Sequence, residues 1–353
     1  MSLSRKLRLV TVGCGYFSQF HHEAWQRLPV DHVGVCDLVP GRAQEFCHRY
    51  GVERAFTNYA DMLDQLQPDL VDIILPPDQH LESISLAVEC GAHVICQKPF
   101  TRNLTEAAAA VALAGDKQRF LVVHENFRFQ PWYRKLKNLM VNEDNGSLYQ
   151  VRFSLRPGDG QGSDAYLDRQ PYFQTMEKFL IKETGIHFID VFRYLVGEPE
   201  AVYADLYRLN PDISGEDAGV FMLEFADNVR AVFDGNRLAD HPAQNRRLTM
   251  GEMLIETARW TFKLDGDGRL WQRSHGNNLW QKIGLGFSDK NFAGDCVFNL
   301  QQHVLDCIYN RRLPENHGLD YLRNLEIQQA VYQSSLQGRK IRLSSMNTAE
   351  VGN

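Results

Sequence analysis

Arg8-Leu9-Val10-Thr11-Val12-Gly13-Cys14-Gly15-Tyr16-Phe17-Ser18 is an apolar run that stops on a glycine pair and passes into residues with helical periodicity. Glycine suits such a turn because the chain bends tightly and a Cβ would keep the backbone away from a ligand. The helix that follows offers unsatisfied N–H groups and the positive end of its dipole to an anion. Alone, Gly-x-Gly is a weak signal, since many turns contain it, and position 18, where a third glycine would complete the dinucleotide fingerprint, is Ser18. The context strengthens it. A second apolar run ends in Asp37, 22 residues after Gly15, where a carboxylate can accept both hydroxyls of an adenosine ribose. An ordinary loop or helix-capping acid is the competing reading. A carboxylate there also repels a 2′-phosphate, by about 1–2 kcal/mol after screening, which favours NAD over NADP; Arg42 stands close enough in sequence to offset part of this.

Outward from this stretch, short apolar runs at 8–12, 32–36, 70–75, 92–96 and 120–124 alternate with helical patterns at 17–28, 41–50, 59–66, 79–89 and 104–117. Asn103 and Glu106 have the spacing of a capping box at the start of the last helix. Continuous apolar runs, rather than alternating ones, predict strands buried on both faces and hence a parallel doubly wound sheet. This first domain is expected over 1–124. The pattern then changes: a basic helix at 131–141, a strand at 149–156, a Gly- and Asp-rich loop at 157–168 and a long helical stretch at 174–196. Strands follow one another at 201–208, 218–225, 230–233, 247–252, 259–264 and 269–272, then helices at 291–310 and 318–337 and a short strand at 340–343. Successive strands without helices between them predict an α+β domain over 125–353 with a largely antiparallel or mixed open sheet.

The chain has 353 residues, 44% hydrophobic and 23% charged, a composition with ample core for two domains. A net charge of −6 with interspersed signs argues against a nucleic-acid binder. The longest uncharged small-apolar run, Ala107 to Gly115, is nine residues and too short for a bilayer, so no membrane partner is expected. Met1 to Lys6 leads into the first strand without a signal-peptide pattern, which predicts a cytoplasmic protein. Seven cysteines, none in a Cys-x-x-Cys pair, read as reduced thiols. His21-His22-Glu23 lacks the second histidine of a zinc helix and His303 with Cys307 is an isolated pair, so no metal is expected.

Further stretches carry a resemblance. Leu75-Pro76-Pro77-Asp78-Gln79-His80 closes the third predicted strand and Val94-Ile95-Cys96-Gln97-Lys98-Pro99-Phe100 the fourth. The second half contains Glu183-Thr184-Gly185-Ile186-His187-Phe188-Ile189-Asp190, followed by Arg193-Tyr194 and Gly197, and the tail runs Ala330-Val331-Tyr332-Gln333-Ser334-Ser335-Leu336-Gln337-Gly338. Together with the glycine turn, this resembles the Gfo/Idh/MocA oxidoreductases, NAD(P)-dependent enzymes acting mostly on sugars, polyols and their acids, over essentially the whole chain. The resemblance implies a Rossmann domain followed by a substrate-binding domain whose sheet often supports a homodimer or homotetramer. It also implies cofactor contacts from Gly13, Gly15, Tyr16, Phe17, Asp37, Arg42, Pro76, Pro77, His80, Gln97, Lys98 and Asn126. Lys98 matches the lysine of the family's Glu-Lys-Pro motif, and His187 the histidine of its Asp-x-Gly-x-His-x-x-Asp motif. Two positions depart: Gln97 stands for the usual glutamate, and Glu183 for the usual aspartate.

The residue chemistry agrees with that match. Removing a hydroxyl proton while hydride leaves the same carbon needs a base, which an imidazole supplies, and stabilisation of the developing alkoxide, which a lysine ammonium supplies. Lys98, His187 and Glu183 are therefore the candidate catalytic residues. Glu183 lies four residues before His187, a spacing that faces both the same way on a helix. Candidate substrate contacts are Lys98, Arg128, Arg156, Tyr166, Arg169, Glu183, His187 and Asp190, whose types suit a polyhydroxylated or carboxylated ligand. For Arg128 a structural salt bridge explains the residue equally well, and Asp190 divides between supporting His187 and touching substrate. The expected function is hydride transfer between nicotinamide and a sugar, cyclitol or sugar acid. The alternatives are a non-catalytic dinucleotide or sugar sensor of the same fold, or chemistry that recycles a tightly held NAD.

Overall fold

The computed structural model describes residues 5–287 and 291–344, and divides into two compact units. The first comprises the chain to Asn126 together with Cys296–Arg323. Its sheet contains β1 (Arg8–Val12), β2 (Asp31–Cys36), β3 (Ala55–Phe56), β4 (Leu70–Ile73), β5 (His93–Cys96) and β6 (Leu121–Val123). All pairs are parallel, in the order 3-2-1-4-5-6. That is the doubly wound dinucleotide-binding arrangement, whose ligand crevice lies beyond the carboxyl ends of the strands. Sequence periodicity missed β3, which is two residues long and too short to show a pattern.

The helices between the strands are α1 (Ser18–Gln26), α2 (Pro40–Tyr50), α3 (Tyr59–Leu66), α4 (His80–Glu89) and α5 (Leu104–Asp116). Asn58 caps α3 by accepting the Asp61 N–H, and Asn103 caps α5 by accepting that of Glu106 at 3.0 Å. The Glu106 carboxylate returns to the N–H of Arg102, one residue before the cap, and so closes a variant of the expected box.

The second unit comprises Phe127–Asp295 and the chain from Asn324. After α6 (Pro131–Met140), its sheet is built from β7 (Leu148–Leu155), β8 (Ala201–Tyr207), β9 (Ala218–Glu224), β10 (Arg230–Asn236), β11 (Gly251–Thr257), β12 (Trp260–Leu264), β13 (Leu270–Ser274) and β14 (Gln281–Ile283). A last strand, β15 (Ile341–Arg342), pairs with β8. Every pairing is antiparallel except β7 with β10. The register places Ala204, Phe221, Phe233, Phe153 and Met253 side by side on one buried face.

On that face lies α7 (Ile186–Val196). Phe188 stacks on Phe153 with ring centroids 3.8 Å apart, and Phe192 meets Phe221 edge-on. Each fully buried phenylalanine contributes about 1.5–3 kcal/mol, so the four-residue spacing of Phe188 and Phe192 fixes which way α7 faces. The predicted helix over 174–196 is broken in fact. A 3-10 turn at Pro171–Thr175 and a π-helix at Leu180–Gly185 precede α7. In the Ile186 N–H to Ile181 carbonyl bond, the π-helix adds a residue that a helical pattern cannot reveal.

A single cut near 124 is also too simple. The helix α8 (Cys296–Asn310) belongs to the first unit, where Arg27 of α1 lies over the Phe298 ring at 4.2 Å. The helix α9 (Gly318–Gln337) starts in the first unit and continues in the second. Sequence order carries no sign of such a return.

Candidate functional site

In the first unit the glycine turn has the shape its sequence predicts. Gly13 has φ +98°, and a Cβ there would sit 2.3 Å from the Ile74 carbonyl oxygen; one at Gly15 would meet nothing within 4 Å. So Gly13 is required by the fold, while Gly15 leaves open space above the turn. Ser18, in place of a third glycine, is buried and donates its hydroxyl to the Gly15 carbonyl, holding the turn from inside. Between the glycines Cys14 has its thiol pushed up to about 12 by burial and then by the Asp37 carboxylate. It therefore stays a neutral thiol and adds no negative charge to an anion cradle.

Asp37 follows β2 and accepts the backbone N–H groups of Cys14 and Val39, each at 2.8 Å. Its carboxylate thus ties the glycine turn to the end of β2, a role sequence did not foresee beside the ribose contact. Tyr16 is exposed, Phe17 half-buried and Arg42 exposed on the first turn of α2. Pro76 and Pro77 follow β4 where they cap the short turn Pro77–Gln79. His80 is fully buried, with Nδ1 2.8 Å from the Phe100 carbonyl and Nε2 2.8 Å from that of Leu75. It braces the loops after β4 and β5: burial lowers its pKa, and the neutral ring donates its one N–H to one of these two carbonyls. The expected cofactor contact of His80 thus has a packing explanation instead. Lys98 follows β5 and donates its backbone N–H to the Gln97 side chain at 2.7 Å. Asn126 is buried, and its amide donates to the Cys296 sulfur.

In the second unit the His187 ring lies flat against Phe127, with centroids 3.8 Å apart and planes 3° from parallel. Phe188 is locked against the sheet, so the neighbouring imidazole is held in one plane facing the 127–129 segment. Asp190, one turn on, receives a bidentate bond from Arg128 at 2.8 and 2.6 Å and a third bond from Asn324 at 2.8 Å. Arg128 and Asp190 are both buried, and this places them in a structural pair, the reading the sequence left open for Arg128. Glu183 is buried inside the π-helix, so the α-helical facing argument for Glu183 and His187 does not apply to it.

The remaining candidates are drawn into packing. Arg156 pairs with Asp234 at 2.6 Å, and Arg169 with Asp159 at 3.3 Å. Tyr166 is 4% exposed and packs with Phe173 and Phe179; its hydroxyl is bonded by Arg237 and Asp159, and burial raises its pKa. Within the glycine-rich loop, Ala165 and Tyr166 therefore pack on an aromatic core, while residues 161–164 and 167–168 stay exposed. At the centre of that core is Arg237, 2% exposed, which also donates to the Thr184 hydroxyl at 2.8 Å. No sequence signal marks Arg237, since an arginine in a strand pattern reads as a solvated edge. Among the described residues no group of three or more His, Cys, Asp or Glu is arranged to hold a metal, and no helix is long and apolar enough to cross a membrane.

A parallel 3-2-1-4-5-6 sheet with a glycine turn after its first strand and an acid after its second defines a dinucleotide-binding domain, here joined to an α+β unit. Residues 7–125 match the oxidoreductase family with an NAD-binding Rossmann fold, and residues 133–253 match the GFO/IDH/MocA C-terminal domain. The chain belongs to the Gfo/Idh/MocA oxidoreductases. It is similar to the D-apiose dehydrogenase of Paraburkholderia graminis, 29% identical over 97% of this chain and 91% of that protein. The D-apiose dehydrogenase of Rhizobium rhizogenes is 26% identical, covering 97% and 99%. Among solved structures, an Agrobacterium radiobacter oxidoreductase in complex with NAD+, L-tartaric acid and magnesium has a TM-score of 0.87. It is 25% identical, with 96% of this chain and 98% of that one covered.

Proposed function

We propose that the protein is an NAD-dependent dehydrogenase of a free sugar or related polyol, with D-apiose the first substrate to try. The observation that carries this is the glycine turn clamped by Asp37, which fits a dinucleotide, in a chain similar over nearly its whole length to two D-apiose dehydrogenases. The space above Gly15 and the N-terminus of α1 suit the pyrophosphate, and Asp37 the adenosine ribose. When bound, the nicotinamide supplies the hydride acceptor. The Lys98 ammonium stabilises negative charge growing on the substrate oxygen, and His187 takes the hydroxyl proton, its ring plane held by Phe127. Glu183 is proposed to orient this histidine or a substrate hydroxyl.

Self-association through the outward face of the second sheet belongs to the same proposal, because Tyr203 and Tyr207 of β8 and Val220 of β9 stand exposed together there. Sedimentation of Tyr203→Arg against the wild type tests it.

The function is tested by following NADH formation with D-apiose, myo-inositol, levoglucosan and sugar acids, NAD and NADP being run in parallel. Turnover that Lys98→Met lowers at least 1,000-fold, about 4 kcal/mol of transition-state stabilisation, is the expected result. Full turnover by Lys98→Met would refute the assigned chemistry. NAD binding without turnover of any compound would favour the sensor reading.

A further inference from the structure

Behind Lys98 runs a chain of buried polar groups confined to the first unit. Asp72, in the middle of β4, is fully buried; its Oδ2 accepts the Trp25 indole N–H at 2.7 Å and stands 2.8 Å from His21 Nδ1. His21, also fully buried, has Nε2 2.9 Å from the Gln97 side-chain nitrogen. The Gln97 side-chain oxygen accepts the Lys98 backbone N–H. His124 borders the same group, its ring 4.1 Å from that of His21 and its Nδ1 3.5 Å from the Gln97 nitrogen.

Hydrogen-bond chemistry sets the direction of every link. A backbone N–H only donates, so the atom of residue 97 that faces Lys98 is an oxygen. The other end of that amide is then NH2, which also only donates. His21 Nε2 must accept it and carries a lone pair. The imidazole proton therefore sits on Nδ1 and is donated to Asp72. A glutamate at position 97 would set a carboxylate against that lone pair. His21 would then need a second proton, becoming an imidazolium between two carboxylates. The departure at 97 is thus matched to a histidine 76 residues away that offers a lone pair at Nε2.

We propose that Asp72, His21 and Gln97 form a positioning chain for Lys98, in which a single tautomer of His21 orients the Gln97 amide and the amide holds the lysine peptide. This rests on Lys98 being the reacting lysine of the proposed function. The titratable groups facing His21 are Asp72 from β4, His124 beyond β6, and His22 on its own helix, with the Cys96 thiol of β5 beside Asp72.

The first arm of the test needs no substrate. Imidazole nitrogen NMR spectra are recorded on the full chain labelled with 15N-histidine and saturated with NAD, from about pH 6 to 8, the range in which a free imidazole titrates. His21→Asn assigns the resonance. The expected wild-type His21 carries its proton on Nδ1 and a lone pair on Nε2; in Gln97→Glu, Nε2 is protonated as well. A wild-type proton on Nε2, or a wild-type imidazolium, overturns the assignment even if Gln97→Glu does not fold.

The second arm follows kcat against pH with the substrate found above. Gln97→Glu gains an ionisation the wild type lacks, active below it and at least tenfold slower above. A residue that only fills space would lower the melting temperature and leave this profile alone. If Lys98→Met is inactive but Gln97→Glu keeps the wild-type profile, the positioning role is overturned alone. If Lys98→Met keeps full turnover, the functional reading falls and takes that role with it, whatever the spectra show.

Discussion

Asp190→Ala isolates what the three bonds to this carboxylate contribute. In the native protein it is fully buried and bonded by both arms of the Arg128 fork and by Asn324. The variant takes the Asp190 carboxylate away from a guanidinium that is 7% exposed and from the Asn324 amide donor. Breaking a buried pair by removing one partner costs about 3–5 kcal/mol, because the stranded charge keeps its desolvation penalty. The unit that contains the pair has about 200 residues, for which 1 kcal/mol corresponds to roughly 2–4 °C. Its melting temperature is expected to fall by about 6–20 °C in a thermal scan of the full chain. Arg128→Met combined with Asp190→Ala removes both charges and should recover at least half of the loss. An Asp190→Ala protein melting within about 2 °C of the wild type would refute the reasoning. If that protein also showed a raised substrate KM, Asp190 would return to the substrate-contact role.

Three further outcomes are expected. His22 and His32 stack on one another and share the Thr11 hydroxyl, and burial holds both neutral, His32 with its pKa lowered to about 4 and His22 well below its ordinary value. The unfolded chain takes these protons below about 6.5 while the folded one refuses them, so stability is complete above that pH and falls toward 4. For His32 the loss between pH 7 and 5 is roughly 2 kcal/mol, and urea midpoints unchanged over that range would contradict it. Gly13→Ala meets both a positive φ and the Ile74 carbonyl, and should cost about 2 kcal/mol or more with at least a tenfold weaker NAD titration; wild-type affinity would show that the turn does not hold the cofactor. Asp37→Asn keeps an acceptor for only one of the Cys14 and Val39 N–H groups and removes the charge, and should raise the NADP-to-NAD ratio of kcat/KM about 5- to 30-fold, the equivalent of 1–2 kcal/mol. An unchanged ratio would take cofactor choice away from Asp37.

Patterns local in sequence determined much of this protein. Five of the six strands of the first sheet, the glycine turn, Asp37 at the end of β2 and the Asn103 cap were all legible. Each rests on neighbours within a few residues: continuous apolar runs for doubly buried strands, a glycine where φ is positive, a capping side chain three residues before its donor. Most of the consecutive strands of the second unit were legible for the same reason, but β14 was missed, the run at 247–252 reaches only the start of β11, and the parallel β7–β10 pair was not legible, since nothing local states which strands become neighbours.

Only the tertiary structure decided which polar residues face one another. Tyr166 and Arg169 have the chemistry of ligand contacts, yet an arginine more than 60 residues away in sequence, Arg237, draws the loop onto an aromatic core. Arg128 and Asp190 find each other across 62 residues, and His21 reaches Gln97 across 76. Residue type records what a side chain can donate or accept; the partner that uses that capacity is set by long-range packing. That is why His21, read in its own helix as an incomplete metal motif, becomes the centre of a buried chain once β4 and β5 are laid beside it.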